Sequence, residues 1–167
     1  MSMQLGEAFV GEGPEAAHVN TVFGTRNGPV GAAWAASLAT PRIGHVPFVA
    51  VLRPGLPVQP MTLFVNKAAI ASDRHGILTW GAAQAGVAGG VADAVAAELL
   101  DGHGGIDDQC LIVAVWVDPA AEDEELVYAN NRAATTQAIH AGAKHLPRLA
   151  DVLAAREAPA NPYFRRG

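Results

Sequence analysis

The run CLIVAVWV, residues 110–117, constrains this chain more than any other stretch. It is apolar throughout and half β-branched, which favours a strand. It is far shorter than the roughly 20 apolar residues that a membrane-crossing helix needs. A short strand with no polar face is a buried strand. The rest of the chain therefore has to supply neighbouring strands and helices to cover them.

Neighbours are easy to find. MQLGEAFVGEG alternates weakly and ends in glycine turns. AAHVNTVFGT places His18, Asn20 and Val22 on one face and Val19, Thr21 and Phe23 on the other. HVPFVAVLR reads as a buried strand and MTLFVNKAAI as the next. Between them, PGLPVQP is a loop, because three prolines do not fit a central strand.

Helices are expected after the Asn27-Gly28-Pro29 turn and in two later segments. One runs through ASDRHGILTWGAAQAGVAGGVADAVAAELL, interrupted at Gly76 and Gly81. Its second half, from Ala82 to Leu100, carries small residues on all sides, so it packs close to something. DGHGGIDD is a polar turn. The other helix follows DPAAEDEEL, whose carboxylates cluster where the helix dipole favours them. Strands and helices mix without strict alternation, which predicts an α/β chain of the two-layer α+β kind. The domain spans 1–143, and 144–167, with prolines at 147, 159 and 162, is a peripheral tail.

Half of the 167 residues are hydrophobic, enough for a real core. The net charge of −5 argues against nucleic acid as a partner. Cys110 is the single cysteine and sits in an apolar run, so it reads as an inert buried thiol. The first residues lack the charged start and apolar run of a signal peptide, and no membrane span is apparent. A cytoplasmic protein is expected.

The six histidines show no metal-binding spacing. His140 and His145 flank a helix end and His103 lies in a glycine turn, all positions with ordinary structural uses. GEG and GVAGG match no phosphate loop, and no serine or cysteine has a nucleophile motif. Lysine occurs only at 67 and 144, against nine arginines, which draws notice to Lys67. The candidates that remain are His18, Asn20, Lys67 and Gln84. Each also has a plain structural explanation, as a strand residue, a turn cap, a solvated strand end or a helix-face amide.

Taken together, GEAFVGEGPEAAHVN, GTRNGPVGAAWAASLA, FVAVLRPGLPVQPMTLFVNK, GAAQAGVAGGVADAV and VWVDPAAEDEELVYANNRAATTQAI resemble the formaldehyde-activating enzyme family, in order from Leu5 to Ala143. The resemblance implies a fold like the second domain of ribosomal protein S5, a cytoplasmic homopentamer, and no tightly bound cofactor or metal. It implies a hydro-lyase of one-carbon metabolism that condenses formaldehyde with the cosubstrate tetrahydromethanopterin, giving methylene-tetrahydromethanopterin and water. An amine of the pterin adds to formaldehyde to form a carbinolamine. Hydroxide leaves poorly, so a proton donor is needed before the iminium forms and the second amine closes the ring. His18 matches the family's catalytic histidine and suits that role near neutral pH. Lys67, Gln84 and Val49 match positions lining the pterin site, with Val49 in place of a leucine.

Two departures from the family pattern change the chemistry of a side chain at the site. Asn20 stands where the family has aspartate, and Ala69 where it has threonine. WGAAQ, with Trp80 and Ala82, replaces FGPAQ. The alternative is a diverged homologue that binds a pterin, a folate or an aldehyde as carrier or sensor without efficient turnover. A ring-shaped oligomer is expected either way, with the Ala/Gly-rich helix of residues 82–98 as a candidate contact.

Overall fold

A computed structural model describes residues 3–100 and 105–161. Among them a five-stranded sheet has the order β1-β2-β7-β6-β3, built from β1 (Gln4–Val10), β2 (Ala17–Thr25), β3 (Pro47–Val49), β6 (Met61–Asn66) and β7 (Gln109–Trp116). All neighbours are antiparallel except β6 and β7. The apolar run CLIVAVWV supplies the central strand, β7.

One face of the sheet is closed. Ala17, Val19 and Phe23 of β2, Leu111, Val113 and Val115 of β7 and Phe64 of β6 are buried beneath α3 (Gln84–Ala96) and α4 (Glu124–Ala143). Asp123 caps α4 by accepting from the Leu126 amide at 3.0 Å, and Glu124 and Glu125 occupy its first turn, as the acidic cluster predicts. The Ala/Gly coating of α3 lets it press against α4. A Cβ on Gly86 would lie 2.5 Å from the Tyr128 carbonyl oxygen, and one on Gly90 2.5 Å from that of Arg132. The glycine face of this helix is therefore packed on α4.

The opposite face is only partly covered. α1 (Pro29–Ala39) crosses its lower end, where Val30 packs on Gly24. Val30 is the one buried residue of α1, and Leu38 is exposed. On β7, Ile112, Ala114 and Trp116 are half-buried while the residues between them are fully buried.

Two details differ from the sequence expectation. HVPFVAVLR is not one strand. It breaks at Ala50, whose amide donates to Thr62 and whose carbonyl accepts from Val58. β4 (Val51–Arg53) then leaves the main sheet and pairs with the short β5 (Leu56–Pro57). The long helical segment is not interrupted at its glycines. α2 (Asp73–Ile77) runs through a π-helical turn over residues 78–83 into α3. The expected turn at His103 and the proline at 162 lie outside the described residues. Within the tail, α5 (Leu149–Ala155) buries no residue.

Candidate active site

Side chains on the open face can be placed from the register. β1 and β2 pair Glu7 with Asn20 and Phe9 with His18, and β2 and β7 pair His18 with Trp116 and Asn20 with Ala114. Cross-strand partners project to the same side. Lys67 follows β6, where its amide donates to the Val115 carbonyl at 2.8 Å. It therefore reaches the same face one step beyond the sheet.

The result is a compact polar cluster. Lys67 Nζ donates to Asn20 Oδ1 at 2.6 Å. His18 Nε2 lies 3.1 Å from Glu7 Oε1. The His18 ring also packs on Phe9, with centroids 5.5 Å apart. Asn20 does not hold the imidazole. Two residues along a strand is about 6.6 Å, so neighbours on one face reach across to other strands instead.

Burial, and after it the nearby Lys67 ammonium, lower the His18 pKa below the usual histidine value, while Glu7 pulls it up by charge and hydrogen bond. Burial also lowers Lys67, again opposed by Glu7. Each of these shifts is a balance, and Glu7 takes the same side in both.

The other expected site residues stand apart from this cluster. Gln84, at the start of α3, is buried and its Oε1 accepts from the Val51 amide at 2.6 Å. It fixes the chain where β4 leaves the sheet. Val49 is half-buried on β3, and its partner Leu63 places it on the His18 face, toward the far edge. Ala69 is exposed in the loop after Lys67, beside Gly44. Trp80 is exposed on the π-helical turn and Ala82 is buried. Cys110 is buried, as expected, and burial raises its thiol pKa.

Two residues that bear on the site were not singled out from the sequence. Glu7 is the first. The signal was available in the hairpin register, which sets it opposite Asn20 once the turn between β1 and β2 is known. His75 is the second. Fully buried, it accepts from the Ala71 amide through Nδ1 at 3.1 Å, and its Nε2 lies 3.0 Å from the Val117 carbonyl. It ties the loop carrying Ala69 to the end of β7. Nothing in DRHG distinguishes a buried strut from a surface histidine. Among the described residues no three His, Cys, Asp or Glu side chains gather as metal ligands, and no helix is long and apolar enough to cross a membrane.

Fold and cluster together define a two-layer α+β protein with an acid–base group on its open sheet face. Comparison with known proteins gives the family. Residues 5–164 match the model of the formaldehyde-activating enzyme (Fae). The chain is 40% identical over 163 residues to a 5,6,7,8-tetrahydromethanopterin hydro-lyase of Methanosarcina barkeri, covering 98% of this chain and 91% of that protein. It is 37% identical to a bifunctional enzyme Fae/Hps of Methanosphaera stadtmanae and 35% identical to one of Archaeoglobus fulgidus. Those matches cover 95% and 99% of this chain but only 39% and 42% of the bifunctional proteins. The chain belongs to the formaldehyde-activating enzyme family.

Proposed function

We propose that this protein is a hydro-lyase that condenses formaldehyde with tetrahydromethanopterin to methylene-tetrahydromethanopterin and water, in one-carbon metabolism and formaldehyde removal. The observation that carries this reading is the convergence of His18, Asn20 and Lys67 on one open sheet face. His18 is half-exposed and can meet a substrate there. As its imidazolium it protonates the carbinolamine hydroxyl, and water departs. The second amine closes the ring and its proton returns to the imidazole, so no net proton is consumed. Lys67 presents an ammonium to polar pterin groups. Val49, Ala69 and Gln84 are assigned to the pterin site on the family resemblance; within the chain they stand apart from the cluster, Gln84 buried with its Oε1 on the Val51 amide. The pterin is a cosubstrate, and no bound cofactor or metal is part of the proposal.

The same face supports a homo-oligomer, which we take to be the pentameric ring of the S5-like fold. Leu5 is 56% exposed, Ile112, Ala114 and Trp116 are half-covered, and α1 offers little but alanine and leucine to solvent. Contacts between subunits are assigned to this face rather than to α3, which is occupied by α4. The segment that follows residue 143 is assigned as a peripheral tail, in support of which α5 buries no residue. The site is assigned to the cytoplasm. Light scattering at micromolar concentration gives a mass of several chains, and a stable monomer would remove this part of the proposal.

The direct test compares condensation with and without the purified protein, because formaldehyde and the pterin react spontaneously. Acceleration well above background is expected. Asn20→Asp adds a second carboxylate beside Lys67, near the developing iminium charge, and raises the rate several-fold. The neutral Asn20 favours one other reading, a pterin, folate or aldehyde binding protein. Tight pterin binding with no acceleration by either form selects it.

A further inference from the structure

We infer that Glu7 is the positioning residue for His18, holding the Nε2 edge of the ring so that Nδ1 faces the substrate as the proton-bearing atom. The inference deepens the proposed function and rests on it for the identity of the acid. It begins with the strand pairing. Glu7 and Phe9 are alternate residues of edge strand β1, and they face Asn20 and His18 of β2. Glu7 thus sits diagonally from His18, within reach of a long side chain. Its Oε1 is 3.1 Å from Nε2. Phe9 packs against the ring and limits its rotation.

Among the described residues Glu7 is the carboxylate set against the imidazole, and the charged groups acting on His18 are Glu7 from β1 and Lys67 from the end of β6. Asn20 is neutral and its Oδ1 is taken by Lys67. From β7 the residue opposite His18 is Trp116, which does not titrate. A carboxylate can only accept at Nε2, in either charge state of the ring. The neutral ring then keeps its proton on Nε2 and an open lone pair on Nδ1. The imidazolium carries its second proton on Nδ1. That proton goes to the carbinolamine oxygen, the C–O bond breaks with its electron pair leaving in water, and the ring-closing amine returns a proton to Nδ1. Glu7 offsets the two influences that discharge the ring, burial and Lys67.

The test is a histidine NMR titration of the full-length protein without substrate, on the parent, Glu7→Gln, Glu7→Asp and Glu7→Ala. Glu7 is exposed, so these variants are expected to fold, and equal unfolding midpoints verify it. Glu7→Gln keeps an acceptor but removes the charge. Its His18 midpoint falls by about half a pH unit or more, and Glu7→Asp recovers part of the shift. Glu7→Ala loses the preference for the Nε2–H tautomer, read from ring nitrogen shifts. In the condensation assay the alkaline fall of the Glu7→Gln rate moves to lower pH by the same amount, and its rate rejoins the parent's in acid. An unmoved His18 midpoint in Glu7→Gln overturns the inference. So does a rate loss equal at every pH, which marks a merely structural glutamate. Because the titration needs no pterin, absence of any acceleration sinks the proposed function without deciding the role of Glu7.

Discussion

His18→Ala is expected to lower the catalysed rate by about a hundredfold or more, the usual contribution of a placed proton donor, while pterin binding changes little. The asymmetry follows from what the imidazole does. It acts on a leaving hydroxide, a species that exists only along the reaction path, whereas under the proposed function pterin binding is spread over other groups of the site. The pH dependence has a definite sign. A general acid works in its protonated form, and burial with Lys67 holds the His18 pKa below the ordinary histidine value. The acceleration therefore falls as pH rises through that lowered value, and the alanine variant loses this limb. His18→Ala with the parent's rate, or with the same pH profile at reduced rate, would remove His18 from the mechanism. Single-turnover rates from acid to neutral pH, each corrected for the spontaneous reaction, make the measurement.

How much of this was legible beforehand depends on what kind of interaction decided each element. CLIVAVWV, the alternation around His18 and the acidic start of α4 follow from periodicity and capping, which are local, and the structure places all three as read. The break of HVPFVAVLR at Ala50 was not legible. It is made by backbone groups of Thr62 and Val58 and by the Gln84 amide, all distant along the chain. The π-helical turn over 78–83 likewise replaces a break expected from glycine propensity. α3 shows what small residues leave open. Its small residues do mark a close contact, but sequence alone does not say with what, and within the chain Gly86 and Gly90 lie against the backbone of α4. For the site, the residues themselves offered His18, Asn20, Lys67 and Gln84, the family resemblance gave them roles, and the geometry joins Asn20 to Lys67. Glu7 was missed because its relation to His18 crosses a hairpin, so it appears only when the register is known.

The same tight packing yields the largest expected effect on stability. Gly6 lies on β1 opposite Thr21, and β1 rests directly on the backbone of α4. A Cβ at Gly6 would collide with the Ala138 carbonyl oxygen and sit 2.7 Å from Thr21 Oγ1. Nearby, a Cβ on Gly142 would come 3.2 Å from the Leu5 carbonyl oxygen, so contact is close from both sides. Overpacking a core typically costs about 1–3 kcal/mol, where side chains can give way. Here the obstacle is the carbonyl of a helix, so Gly6→Val has to lift β1 off α4 and open the core around Ala8, Val19 and Ala138. We expect a loss above about 3 kcal/mol, a large share of a domain's usual stability. The strand that moves also carries Glu7, so the His18 titration changes with it in whatever fraction stays folded. Gly81 is the matched control. It is exposed on the π-helical turn, with nothing within 4 Å of a built Cβ. Gly81→Ala therefore removes unfolded-state freedom without a clash, and is neutral or stabilising by up to about 1 kcal/mol. Urea unfolding of the two variants gives midpoints displaced in opposite directions, or one far down and one unmoved. A Gly6→Val protein as stable as the parent would mean that β1 and α4 do not lie in backbone contact.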